Sequence, residues 1–299
     1  MKTPQLSFPK LSAALGIANE VWLKREDLHH YGSHKGRSIP TMINEYRKQG
    51  VTNFVISSSG NAALAAIMTV QKANQNNGKA PLHLRVLVGE KIDPKKLASL
   101  QPTTYNLQPT NIKIEQCERP KQTAFQMEKE NKAKWLRQST DDLALVGYQE
   151  LALELSKIPN LAAVFIPTSS GTTAQGLHEG FQKLGLNPEI HIVQTDGCHP
   201  MVAEVESHKV HKVESPSLAS AIVDRIAHRK SKILEILKTS HGKGWIATND
   251  EIQKAIQLVK ENTGIDISPN SALAVVGLQQ AINSGRTWEG SVVCVVTGR

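Results

Sequence analysis

The chain has 299 residues, more than one small core requires and enough for two linked domains. Its 39% hydrophobic and 21% charged residues mark a globular composition and argue against disorder, and no apolar run is long enough to cross a bilayer. The formal charge of +8 comes from lysines scattered between acidic residues, not from a clustered stripe, so a solvated basic surface is expected and no nucleic-acid partner.

The opening Met1-Lys2-Thr3-Pro4 lacks the apolar core of a signal peptide. Cys117, Cys198 and Cys294 are odd in number and widely spaced, which shows neither a disulfide framework nor zinc spacing. A reducing cytoplasm is the expected setting. Short β-branched runs then alternate with helical patterns. Strands are expected at Glu20–Lys24, Asn53–Ser57, Leu82–Val88, Asn111–Glu115, Ala162–Pro167, Glu189–Thr195, Gly244–Ala247 and Ser291–Thr297. Helices are expected at Asn61–Ala73, Ala174–Gly185 and Asn249–Thr263, the last with Ile252, Ala255, Ile256 and Val259 on one face. Thr248 and Glu251 form a capping box at its start, and Gly264 is placed to end it. The polar stretch Asn74–Ala80 and the Pro/Thr-rich Gln101–Thr110 read as connections. The alternation predicts an α/β fold of two open, mainly parallel sheets flanked by helices, divided near Thr140–Leu143 into domains 1–142 and 143–299.

Three loops follow strands and open helices. The first, Tyr31-Gly32-Ser33-His34-Lys35-Gly36-Arg37, holds a lysine on a turn before a helical pattern with Ile39, Ile43 and Tyr46. Lys35 there is held by the scaffold and is a candidate nucleophile or base. The second, Ser57-Ser58-Ser59-Gly60-Asn61, puts small hydroxyl residues and a glycine at a helix start, where backbone N–H groups take carboxylate or phosphate. The third, Thr168-Ser169-Ser170-Gly171-Thr172-Thr173, is a second anion cradle of the same kind. It has no lysine after its glycine, so it is no Walker loop, and it lacks the glycine spacing of a dinucleotide fingerprint. A cofactor with a phosphate and an aldehyde needs one cradle and one lysine, and an amino-acid substrate needs the second cradle for its carboxylate.

At this point the chain resembles a known family. Leu23-Lys24-Arg25-Glu26-Asp27-Leu28 followed by Gly32-Ser33-His34-Lys35-Gly36-Arg37 is similar to the lysine region of threonine synthases and their fold-type-II, tryptophan synthase β-like relatives, which use pyridoxal 5′-phosphate (PLP). Ser58-Ser59-Gly60-Asn61 resembles the substrate-carboxylate loop, whose asparagine also bonds the cofactor. Ser169-Ser170-Gly171-Thr172-Thr173 resembles the phosphate loop, and Val295-Val296-Thr297-Gly298 the segment facing the pyridine nitrogen. Ser217–Ile222 and Ser268–Ala272 have counterparts in the same order. The resemblance implies PLP in the cleft between two domains, carried as a Schiff base on Lys35. Asn61, Ser169, Ser170, Gly171, Thr172, Thr173 and Thr297 would bind the cofactor, and Ser58, Ser59, Gly60 and Asn61 the substrate.

The implied activity is elimination or replacement on an amino acid, threonine synthase-like, from O-phosphohomoserine to threonine and phosphate. Serine/threonine dehydratase or cysteine synthase-like chemistry is the alternative, and a catalytically silent PLP-binding protein is the alternative of another class. A homodimer is left open. The family pattern is broken at His34, at Gly36, and at Ala144-Leu145-Val146-Gly147, where threonine synthases commonly carry Arg-x-Glu-Gly; Arg37 or Arg225 is the expected replacement for that arginine. No metal is expected: His29 and His30 are adjacent and diverge, and His208 and His211 lack further ligands. Cys198 and Cys294 read as core residues, and Asp27 as a partner of Arg25 or Lys24.

Overall fold

The computed structural model describes residues 2–75, 80–101, 111–202 and 216–298. Residues 76–79 and 102–110 of the two expected connections, with His208 and His211, lie outside the described residues. In chain order the elements are β1 (Gln5–Ser7), α1 (Pro9–Ala14), β2 (Val21–Arg25), α2 (Lys35–Lys48), β3 (Asn53–Ser57), α3 (Asn61–Gln75), β4 (His83–Gly89), α4 (Pro94–Leu100), β5 (Ile112–Cys117) and α5 (Pro120–Lys129). They continue with β6 (Lys134–Trp135), α6 (Leu143–Leu155), β7 (Leu161–Pro167), α7 (Thr172–Lys183), β8 (Glu189–Thr195), α8 (Lys230–Thr239), β9 (Gly244–Ala247), α9 (Asn249–Thr263), α10 (Pro269–Asn283) and β10 (Ser291–Val296).

The chain forms two compact units, Met1–His29 with Tyr148–Arg299, and His30–Gly147. The expected division at residue 142 is therefore corrected. The N-terminal segment belongs with the second half because β2 pairs in parallel with β10, Val21 opposite Val292 and Arg25 opposite Val296. A cut placed at one point in the sequence cannot represent a unit built from both ends of it.

In the larger unit the strands run in the order β1-β2-β10-β7-β8-β9. Only β1 is antiparallel. Its central strands read as continuous apolar runs because both faces are covered. Along β10, Val292, Cys294 and Val296 join the cluster beneath α1, α9 and α10, while Val293 and Val295 join the cluster beneath α6, α7 and α8. Each such fully buried aliphatic side chain contributes roughly 1.5–3 kcal/mol of transfer free energy. The capping box of α9 is present, with Thr248 Oγ1 accepting from Glu251 N–H and Gly264 ending the helix in the left-handed region. Cys198 and Cys294 are buried.

The His30–Gly147 unit carries an all-parallel sheet in the order β5-β4-β3-β6. Phe54, Ile56, Leu84, Val86 and Val88 pack on one face with α2 and α3; Val55 and Leu87 face α5 on the other. The short strands β1 and β6 and the helices α1, α4, α5, α8 and α10 were not expected as elements.

Candidate active site

Lys35 is the first residue of α2 and is partly exposed. The turn before it is tight: Ser33 is wholly buried, its Oγ accepts from Lys35 N–H at 3.3 Å, and its carbonyl accepts from Gly36 N–H at 3.0 Å. The next turn is fixed from behind. Gly147 of α6 lies so close to α2 that a Cβ there would stand 2.1 Å from the Arg37 carbonyl oxygen, so only glycine permits this approach. Gln138 also donates to Ser38 Oγ. The lysine thus sits on a braced helix start.

In the same unit, Ser58, Ser59, Gly60 and Asn61 run from the C-terminal end of β3 into α3. Gly60 N–H donates to Ser58 Oγ at 3.3 Å, which shapes the turn. No acidic residue occupies the first turn of α3, so the positive end of the helix dipole is open to an anion without competition from the helix itself. C-terminal strand ends are where open α/β sheets bind ligands.

The 169–173 loop lies in the other unit, after β7. Gly171 is the N-cap of α7 with φ 81°, in the left-handed region, and the helix has neither a side-chain cap nor an acidic residue in its first turn. Thr172 and Thr173 are buried. Ser170 Oγ and Thr172 Oγ1 lie 2.9 Å apart and share a hydrogen bond. Ser169 Oγ accepts from Val223 N–H and Asp224 N–H, at 3.2 Å each, so it ties the loop to a distant segment while its own proton can still be donated. Beneath the loop, Arg229 donates from Nη1 to Gln175 Oε1 at 2.8 Å, both side chains being buried. This donor set of backbone amides and hydroxyls at a helix start, with no carboxylate in the first turn, fits a phosphate dianion.

Thr297 follows β10 in that same unit and is buried. The next peptide is clamped by α10: the Gly298 carbonyl accepts from Ser268 Oγ at 2.6 Å and Ser271 Oγ at 2.9 Å, and Gly298 N–H donates to Ser271 Oγ at 3.3 Å. The candidate residues therefore form two groups, one within each unit.

The profile of the pyridoxal-phosphate dependent enzymes matches residues 1–298. The chain belongs to this family. Among curated relatives, this pyridoxal-phosphate dependent enzyme is 28% identical over 308 residues to threonine synthase of Halalkalibacterium halodurans, covering 99% of this chain and 81% of the relative. Among solved structures it matches a pyridoxal 5′-phosphate-dependent aspartate racemase with TM-score 0.81 at 19% identity, covering 100% of this chain and 90% of the racemase. It also matches the processed threonine deaminase isoform 2 of Solanum lycopersicum with TM-score 0.79 at 19% identity, covering 100% and 79%. These structural matches establish the fold, two mainly parallel sheets flanked by helices.

Other expectations sort out as follows in this pyridoxal-phosphate dependent enzyme. Asp27 accepts from Arg25 Nε and Nη2 at 2.8 and 2.7 Å, a bidentate pair. Lys24, wholly buried, pairs instead with Glu154 at 2.5 Å. Ala144 is wholly buried in the apolar cluster of the smaller unit. Arg37 is buried and Arg225 exposed. Among the described residues no three His, Cys, Asp or Glu side chains converge as a metal site would need, and no helix is long and apolar enough to cross a membrane.

Sequence reasoning missed Ser268 and Ser271 as the clamp behind Thr297, though Ser268-Pro269 is a recognisable helix start. It also missed Arg119 and Lys121. These border a pocket of about 470 Å³ together with Ser57, Ser58 and Ser59. Their only signal is two cations flanking Pro120 after a strand.

Proposed function

We propose that this enzyme catalyses elimination and replacement on a phosphorylated amino acid, converting O-phosphohomoserine to threonine and phosphate in the manner of a threonine synthase. The observation that carries the reading is the similarity to a curated threonine synthase across 99% of the chain. The strand-end loops are the parts of the fold that such chemistry uses.

When bound, pyridoxal phosphate supplies an electron sink for negative charge at the substrate Cα. Lys35 would hold the cofactor through its Nζ, and the same amine would hold and move the proton at the substrate Cα as a general base. The backbone N–H groups and hydroxyls at Gly171, Thr172, Thr173, Ser169 and Ser170 hold the cofactor phosphate. The start of α3, with Ser58, Ser59, Gly60 and Asn61, holds and orients the substrate carboxylate. Asn61 would also hold the cofactor ring. The Thr297 hydroxyl, a neutral group, would hold the cofactor ring from that side of the site. The Ser268 and Ser271 contacts to Gly298 keep that hydroxyl in place. The reading also places the enzyme in the cytoplasm, with a small amino acid as partner and a homodimer as its assembly, to be checked by light scattering.

A second reading rests on Ala144. A buried alanine stands where threonine synthases commonly present an arginine, and a bidentate phosphate contact is hard to replace. Serine/threonine dehydratase or cysteine synthase-like chemistry needs no such cation. The test is phosphate release from O-phosphohomoserine against keto-acid release from threonine and serine and sulfide consumption with O-acetylserine. Keto acid without phosphate release sinks the threonine synthase reading and keeps the cofactor. Absence of any substrate-dependent change in the visible absorbance would leave a silent binding protein.

A further inference from the structure

The absent arginine leaves a substrate phosphoryl group without its usual cation, and the His30–Gly147 unit offers cations elsewhere. The pocket of about 470 Å³ lies at the C-terminal ends of β3 and β4 and at the start of α5. Its lining includes Ser57, Ser58 and Ser59, the proposed carboxylate loop, together with Arg119, Lys121 and Gln122. Among the described residues, no carboxylate lines it. The volume falls within the range of small-molecule sites, about 300–1,000 Å³.

Its charge is available to a ligand. Arg119 Nε stands 3.4 Å from Glu118 Oε1, with side chains 66% and 75% exposed, a loose surface pair that is readily exchanged for a better partner. Arg119 is the N-cap of α5 with no side-chain cap on the helix, and no acidic residue follows in the first turn. Arginine offers a fork and lysine a point charge, and the two together suit the oxygens of a phosphate monoester. A phosphorylated amino acid is a short molecule with a carboxylate at one end and a phosphate at the other. A pocket lined by both the proposed carboxylate donors and two cations matches that chemistry.

Resting on the threonine synthase-like reading, we infer that Arg119 and Lys121 bind the phosphoryl group of the substrate, in place of the arginine missing at Ala144. They act as specificity-determining residues for a phosphorylated over an unphosphorylated side chain.

The test uses the PLP-loaded full chain and the double substitution Arg119→Ala/Lys121→Ala, with single R119K as the conservative control. Visible absorbance and thermal midpoint report cofactor occupancy and folding. The expected result is a KM for O-phosphohomoserine raised roughly tenfold to a hundredfold, the loss of one or two charge-assisted contacts, with a smaller change in kcat. R119K should lie between parent and double variant. Inorganic phosphate should inhibit the parent competitively and the double variant far less. Phosphate release by the parent with an unchanged KM in the double variant overturns the inference and leaves the threonine synthase reading intact. Non-competitive inhibition by phosphate that the double variant loses would assign the pocket to a separate phosphate effector and overturn the substrate assignment. A parent that releases no phosphate overturns the proposed function, and this inference with it.

Discussion

Replacing Gly171 by alanine tests the phosphate cradle at its most constrained atom. The residue has φ 81°, where an alanine costs about 1–2 kcal/mol. Its new Cβ would lie 2.7 Å from Ile233 Cγ1, 3.1 Å from Ile233 Cδ1 and 3.3 Å from Met201 Cε. Ile233 and Met201 are wholly buried in the cluster beneath α7 and α8, so neither can retreat into solvent. Overpacking of that kind costs about 1–3 kcal/mol. The two contributions together reach about 2–5 kcal/mol, a large share of a typical stability of roughly 5–15 kcal/mol. Urea unfolding of the cofactor-free protein should show this loss. Titration with PLP, read by the visible absorbance of the lysine-bound cofactor, should show weaker binding because the amides at the start of α7 are displaced. Adding Ile233→Ala removes the steric part alone, so a double-mutant cycle should return a favourable coupling of about 1–3 kcal/mol. A Gly171→Ala protein within about 0.5 kcal/mol of the parent, with unchanged PLP affinity, would refute both the geometry and its assignment to the cofactor.

Lys35→Ala should abolish the visible absorbance after reconstitution with PLP, and borohydride reduction of the parent should label Lys35 in the peptide map; a label on another lysine would move the site. Glu154→Gln removes the carboxylate that stands 2.5 Å from buried Lys24 Nζ, in a pair with side-chain exposures of 10% and 0%, and should lower stability in urea unfolding by up to about 3–5 kcal/mol; an unchanged midpoint would refute a stabilising role for this pair. His191 is neutral by construction. Its Nδ1 accepts from Lys243 N–H at 3.1 Å and Trp245 Nε1–H at 3.2 Å, its Nε2–H faces Glu189 at 2.9 Å, and burial pushes it below its ordinary value against the pull of Glu189. The unfolded chain therefore binds the extra proton first, and the contribution of His191 to stability is intact above about pH 6.5 and is lost as the pH falls. His191→Gln should flatten the acid limb of stability against pH; equal slopes in parent and variant would refute this.

What was legible in the sequence follows from which interactions are local. The capping box of α9 involves residues three apart, and it forms as read. The buried parallel strands announce themselves as apolar runs because both faces meet helices, as β10 does. Conversely β6, two residues long, carries no periodicity. The Gly147–Arg37 approach joins residues 110 positions apart, and it is backbone sterics that no residue-type pattern displays. The same holds for the candidate site. Lys35 and the serine and threonine loops stand out as motifs on strand ends. Arg119 and Lys121 become visible only when the fold brings them to the same pocket as Ser58, and Ser169's ties to residues 223 and 224 likewise depend on a distant segment.

The position of β10 has a consequence for how the chain is made. Residues 30–147 are contiguous, carry their own sheet, and are complete once the ribosome has passed them. The larger sheet is different. Its strand β10, residues 291–296, lies between β2 and β7, so a nascent chain holds those two strands with no strand to join them until residue 296 is synthesised. Domains tend to fold as units in order of synthesis, so here the inserted unit should mature first. The first 29 residues must wait as an open edge until β10 emerges. A premature stop ahead of residue 291 would split the sheet at its middle and leave two apolar strand edges exposed, a product prone to aggregation and not merely a shortened enzyme.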